Sequence, residues 1–107
     1  MHLSSTERSI LAALASDLRE RFAAIEVRVF GSAARGELDR ESDVDVFVVV
    51  PELSWPLEQA IYDRCYDATL ACGRLVCATV FDRRELVDSP LCASPLVQAV
   101  RREGIPL

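Results

Sequence analysis

The run Val46 to Val50 reads Val-Phe-Val-Val-Val and is entered through Asp43-Val44-Asp45. A strand sends alternate side chains to opposite faces, so Asp43 and Asp45 project together while Val44, Val46, Val48 and Val50 line the other side. A second half this apolar predicts a central strand covered on at least one face. Pro51 stops it, since proline has no N–H to give to a ladder. Two carboxylates side by side repel each other unless something positive sits between them. The usual positive partner is a divalent cation, and oxygen-only ligands suit Mg²⁺ best.

A second half-site precedes this strand. Val27 to Phe30 is a short apolar run that ends in Gly31-Ser32. Glycine lets a backbone approach a bulky anion and take unusual dihedrals. Successive N–H groups in such a turn form an anion-binding concavity, to which the Ser32 hydroxyl adds a donor. If Ser32 to Gly36 continues as a helical turn, its N-terminus would also favour phosphate. A phosphate cradle facing a Mg²⁺-binding pair of carboxylates is what nucleotide-triphosphate chemistry requires.

The remaining elements follow from periodicity and punctuation. Ser4-Ser5-Thr6-Glu7 contains a capping-box pattern, and Ile10, Leu11, Leu14, Leu18 and Phe22 recur at helical spacing, predicting a helix from about Thr6 to Ala24. Glu37 to Ser42 is a polar loop. Ser54-Trp55-Pro56 opens a second long helix whose stripe is Leu57, Ala60, Ile61, Cys65, Ala68 and Cys72, with Gly73 as its C-cap. Leu75 to Phe81 is a third strand. Asp82-Arg83-Arg84-Glu85 is another capping-box pattern, starting a short helix through about Val87. Ser94-Pro95 begins a last helix with Leu96, Val97 and Val100 inward, ended by Gly104 and Pro106. The order helix, strand, strand, helix, strand, helix, helix predicts an α/β (α+β) domain, a small mixed sheet of three or four strands with helices packed against it.

Bulk properties narrow the function. At 107 residues and 50% apolar, the chain should fold as a single domain spanning 1–107. A net charge of -5 argues against a nucleic-acid surface and accommodates a partner with a basic face. Cys65, Cys72, Cys77 and Cys92 show no zinc spacing, and the single histidine, His2, sits at the terminus. The cysteines therefore read as reduced small hydrophobes. No apolar stretch reaches membrane-span length. Glu7 and a stripe continuing to Phe22 argue against a signal peptide, so the expected location is the cytoplasm.

Gly31-Ser32, ten intervening residues, then Asp43-x-Asp45, with Ala34-Arg35-Gly36 and Ser42 between, resembles the signature of the minimal nucleotidyltransferase (MNT) family. That family belongs to the DNA-polymerase-β-like superfamily. The likeness extends loosely over the whole chain, since bacterial members of about this length end in a segment similar to Ser94 to Leu107. The resemblance implies a nucleotidyltransferase fold and assigns Asp43 and Asp45 as catalytic Mg²⁺ ligands. It has Ser32 bind the β/γ-phosphates while Gly31 permits the approach. Arg35 either contacts phosphate or pairs with Glu37, Asp39 or a strand carboxylate, and Ser42 caps or orients the loop.

One position departs from the pattern. Active members carry a third carboxylate on the later strand, which here reads Leu75-Val76-Cys77-Ala78-Thr79-Val80-Phe81. Cys77 and Thr79 stand where the acid is expected, and Asp82 at the strand end is the possible substitute. Loss of a general base costs on the order of 10² to 10⁴ in rate.

The implied reaction is transfer of a nucleoside monophosphate, AMP from ATP, to a hydroxyl with release of pyrophosphate. So short a chain has no second domain for a small-molecule acceptor, which points to a protein acceptor and disfavours an aminoglycoside nucleotidyltransferase. Resemblance to solitary MNT proteins implies a HEPN-family ribonuclease toxin as partner, modified or masked by this chain as antitoxin. Two rivals stay open. One is a catalytically degenerate domain that neutralises its partner stoichiometrically. The other is a regulatory domain that merely carries the motif.

Overall fold

The computed structural model describes residues 3–31, 34, 43–87 and 94–107. Along the chain these form α1 (Ser5–Phe22), β1 (Glu26–Phe30), β2 (Val44–Val50), α2 (Trp55–Cys72), β3 (Val76–Asp82), α3 (Arg83–Val87), α4 (Pro95–Glu103) and β4 (Ile105–Pro106). The four strands make one mixed sheet in the order β3-β2-β1-β4. β1 runs antiparallel to both β2 and β4, and β2 runs parallel to β3.

The expected α/β class, the mixed sheet and the central place of the valine-rich strand all hold. β2 is inner because both its faces are needed. Val44, Val46, Val48 and Val50 pack with Val27, Val29 and Val76 against Leu11, Leu14 and Leu18 of α1 and Ile61, Cys65 and Ala68 of α2. On the other face Phe47 and Val49 meet Val97 and Val100 of α4 and Leu86 of α3, with Phe30 and Phe81 alongside. The Phe47 and Phe81 rings lie 5.4 Å apart, centre to centre. Each fully buried aliphatic or aromatic side chain contributes on the order of 1.5–3 kcal/mol, so this double-sided layer dominates the stability.

Most boundaries fall within one residue of the sequence expectation, and two differences are larger. α1 stops at Phe22 rather than Ala24, because Ala23 takes a left-handed conformation (φ 57) and closes the helix. Left-handed alanine costs roughly 1–2 kcal/mol and carries no signal in the sequence. The second difference is β4, a two-residue strand that pairs Ile105 with Val29 and Pro106 with Arg28, while the Leu107 N–H donates to the Val27 carbonyl. So short a strand has no periodicity to read.

Of the expected cysteine states, Cys65, Cys72 and Cys77 are free thiols. Cys65 is buried, and burial pushes its pKa up to about 11. Cys92 lies outside the described residues.

The capping box expected at Ser4 is present: Ser4 Oγ accepts from the Glu7 N–H and Glu7 Oε1 accepts from the Ser4 N–H. The other Glu7 oxygen lies 2.7 Å from Arg74 Nε, tying the start of α1 to the turn after α2. These donors, the Arg74 guanidinium first, hold the Glu7 carboxyl below its ordinary value of 4.5. A depressed acid stabilises the fold above its unfolded pKa and stops doing so as pH falls through the folded value. The melting temperature should therefore drop as pH falls below about 4.5, and a Glu7→Gln variant should show a shallower drop over the same window. Thermal denaturation from pH 7 to pH 3 checks both.

Candidate active site

The site is built where β1 ends and β2 begins. Antiparallel register sets Asp45 opposite Phe30, so the residue after Phe30 turns away directly beside the Asp45 side chain. That residue is Gly31, with φ 71. A Cβ placed on Gly31 would sit 2.8 Å from Asp45 Oδ2. The turn backbone and the carboxylate are thus in direct apposition, and only glycine allows it, on both conformational and steric grounds. A Gly31→Ala variant should lose roughly 1–2 kcal/mol from the backbone alone. Its melting temperature should fall by about 5 °C or more in a thermal melt.

Asp43 immediately precedes β2 and is exposed, whereas Asp45 is half-buried. On the other side of Asp45, the parallel register places Cys77 of β3. The Cys77 thiol is pushed above its ordinary pKa by burial first, then by the negative charges of Asp43 and of Asp45. Asp43, Asp45 and Cys77 therefore share one end and one face of the sheet, bordered by Gly31. The register also separates the two residues left open by sequence. Cys77 stands next to Asp45, while Thr79 pairs with Phe47, one row further into the apolar layer.

Asp82 does not join them, which corrects the expectation of a substitute carboxylate. It pairs with Val50 at the far end of β3, about 16 Å along the strand from Cys77. Five residues on, its side chain also leaves from the opposite face. Its oxygens are already used: Oδ2 accepts from the Leu53 N–H at 2.9 Å and Oδ1 from the Arg84 N–H at 2.8 Å. Those donors hold its pKa below the usual carboxylate range. The Asp82 N–H in turn donates to Glu85, so the capping pattern at 82–85 describes this residue and the metal role does not. Ser32, Arg35 and Ser42 lie outside the described residues.

The model of the nucleotidyltransferase domain matches residues 11–77, which run from within α1 through β1, β2 and α2 to Cys77 near the start of β3. This chain belongs to the nucleotidyltransferase domain family. A solved structure described as a candidate minimal nucleotidyltransferase superposes on this domain with a TM-score of 0.65 at 34% identity, covering 99% of this chain and 98% of that one. The protein adenylyltransferase MntA of Thermococcus cleftensis is 51% identical over 45 residues, which is 42% of this chain and 46% of that protein. The nucleotidyltransferase domain thus matches about half the length of that relative. A toxin–antitoxin crystal structure with AMP-PNP shares the fold at a TM-score of 0.64 and 20% identity, covering 92% of this chain and 69% of that one.

The donor set bears on the metal. Among the described residues no three His, Cys, Asp or Glu side chains form a metal-holding cluster. Mg²⁺ is commonly held by one or two carboxylates together with substrate phosphates and water, rather than by a cage of protein groups. An exposed Asp43 and a half-buried Asp45 opening beside a glycine turn fit that mode. No helix of the described residues is long and apolar enough to cross a membrane.

Proposed function

We propose that residues 1–107 act as one Mg²⁺-dependent nucleotidyltransferase unit that moves AMP from ATP to a hydroxyl on a protein. The acceptor is a HEPN-family ribonuclease toxin in the cytoplasm, and this chain is its antitoxin. The observation that carries the reading is the apposition of Asp45 Oδ2 to Gly31, which joins the carboxylate strand to the glycine turn at one end of the sheet. Similarity to a protein adenylyltransferase supports the reaction class, and the fold shared with a toxin–antitoxin structure holding a nucleotide analogue accords with the partner.

In this reading Asp43 and Asp45 hold the metal. Mg²⁺ supplies Lewis-acid neutralisation of charge developing on the phosphates. Gly31 keeps the turn close enough for its backbone to face the triphosphate, with Ser32 and Arg35 as further phosphate contacts and Ser42 orienting the loop. Half-burial of Asp45 limits competing water around the carboxylate, which strengthens its grip on a cation.

Cys77 favours a second reading. In the row of Asp45 a thiol offers neither the charge nor the paired oxygens of a carboxylate. A domain that binds nucleotide and neutralises its partner without transfer is consistent with that replacement. Incubation of the protein with labelled ATP, Mg²⁺ and the neighbouring gene's product separates the two. Label on the partner, lost in Asp43→Ala/Asp45→Ala, supports transfer. No label, with neutralisation intact in the double variant, supports masking and sinks the enzymatic reading.

A further inference from the structure

The solvent side of α2 has the wrong composition for a face left in water. Ile61, Cys65 and Ala68 turn inward and are buried. On the opposite side Trp55, Tyr62, Tyr66 and Leu70 recur at intervals of seven, four and four, forming one stripe of roughly 22 Å. Trp55 is 69% exposed, Tyr66 63% and Leu70 66%. A surface helix ordinarily presents charged and polar groups outward. The chain has one tryptophan and two tyrosines, and all three lie on this stripe, whereas none of its four phenylalanines is exposed. Tryptophan and tyrosine couple large apolar area with a polar tip, and they are enriched among residues that carry binding energy at protein interfaces.

The borders of the stripe are acidic. Glu58 lies along one edge, where it accepts the Tyr62 hydroxyl at 2.6 Å, and Asp63 and Asp67 lie along the other. The one cation of α2, Arg64, sits toward α1 and lies 3.4 Å from Asp17. We infer that the α2 stripe is the docking surface for a different protein chain, one presenting an apolar groove rimmed with lysine and arginine. Two copies of α2 face to face would set the three carboxylates of each against those of the other, while the one cation within α2, Arg64, is engaged by Asp17. A basic rim pairs with them instead, giving selectivity and faster encounter. The apolar stripe fills the groove in the manner of a helix laid into a cleft. α2 packs on the valine face of the sheet, while Asp43 and Asp45 belong to the other face. A partner seated on α2 therefore leaves the carboxylates open to nucleotide.

The test places p-benzoylphenylalanine at Tyr66, and as a control at exposed Arg102 of α4, in cells that naturally produce the chain. Irradiation should give one adduct with a different protein from position 66 and none from position 102. With that partner identified and purified, Tyr62→Ser/Tyr66→Ser should weaken binding by roughly tenfold or more. Asp63→Lys/Asp67→Lys, which disturbs no packing, should weaken it as well and flatten its salt dependence. Melting temperatures of both variants should match the wild type. Adducts only between two copies of this chain, no adduct at all, or an affinity untouched by Tyr62→Ser/Tyr66→Ser would each overturn the inference. Labelling of the same partner with AMP is scored separately, so docking without transfer counts against the proposed reaction and not against the surface.

Discussion

Asp45→Ala should reduce transfer of labelled AMP by about 10³-fold or more, equivalent to roughly 4 kcal/mol of lost transition-state stabilisation. Asp45 is the better single target than Asp43 because it is half-buried and lies against the Gly31 turn, whereas Asp43 is exposed and its place can be taken by water. A binding readout accompanies the kinetic one. A ligand at about a hundred times its dissociation constant stabilises a fold by about 2.7 kcal/mol. Mg²⁺ with a non-hydrolysable ATP analogue should thus raise the wild-type melting temperature by roughly 10 °C. The variant should show little of that rise, while its unliganded melting temperature changes little. An undiminished ligand-induced rise in Asp45→Ala would place the nucleotide elsewhere on the molecule.

Cys77→Asp should raise the transfer rate, by on the order of 10² to 10⁴ if an activating base at this position limits turnover. Register with Asp45 makes position 77 the place to install it, and the raised pKa of Cys77 marks how close the two existing carboxylates are. The same closeness yields an opposite effect on stability. Without a divalent cation a third carboxylate adds like-charge repulsion in a partly buried site, so the melting temperature should fall. Mg²⁺ should restore it. A rate unchanged in Cys77→Asp, with the Mg²⁺-dependent recovery present, would show that the third carboxylate is not what limits the wild-type protein. Thr79→Asp is the matching control. It puts the charge beside Phe47 in the apolar layer, where it should destabilise the fold without gain of transfer.

The alternation of Asp43-Val44-Asp45 into Val46 to Val50 was legible from residue order alone. Period-two side-chain direction is a local property of extended backbone, and one buried face needs no tertiary information to be recognised. Helix starts were equally legible at Ser4, Ser54 and Ser94, whose hydroxyls accept from the N–H three residues on. The local chemistry of 82–85 was legible too, but it supported two incompatible roles for Asp82, and sequence spacing has no means of choosing between them. Choosing required pairing register, a long-range property. It sends Asp82 to the far end of β3, selects Cys77 over Thr79, and brings Gly31 against Asp45, fourteen positions later in the sequence. The outward stripe of α2 is of the same kind. Its residues are plain in the sequence, yet which side of a helix faces water depends on where the sheet lies. Local order therefore settles the strands, caps and motif, because each depends on a few adjacent residues. Contacts between distant segments settle the membership of the site and the exposure of α2, because both depend on how independent elements pack.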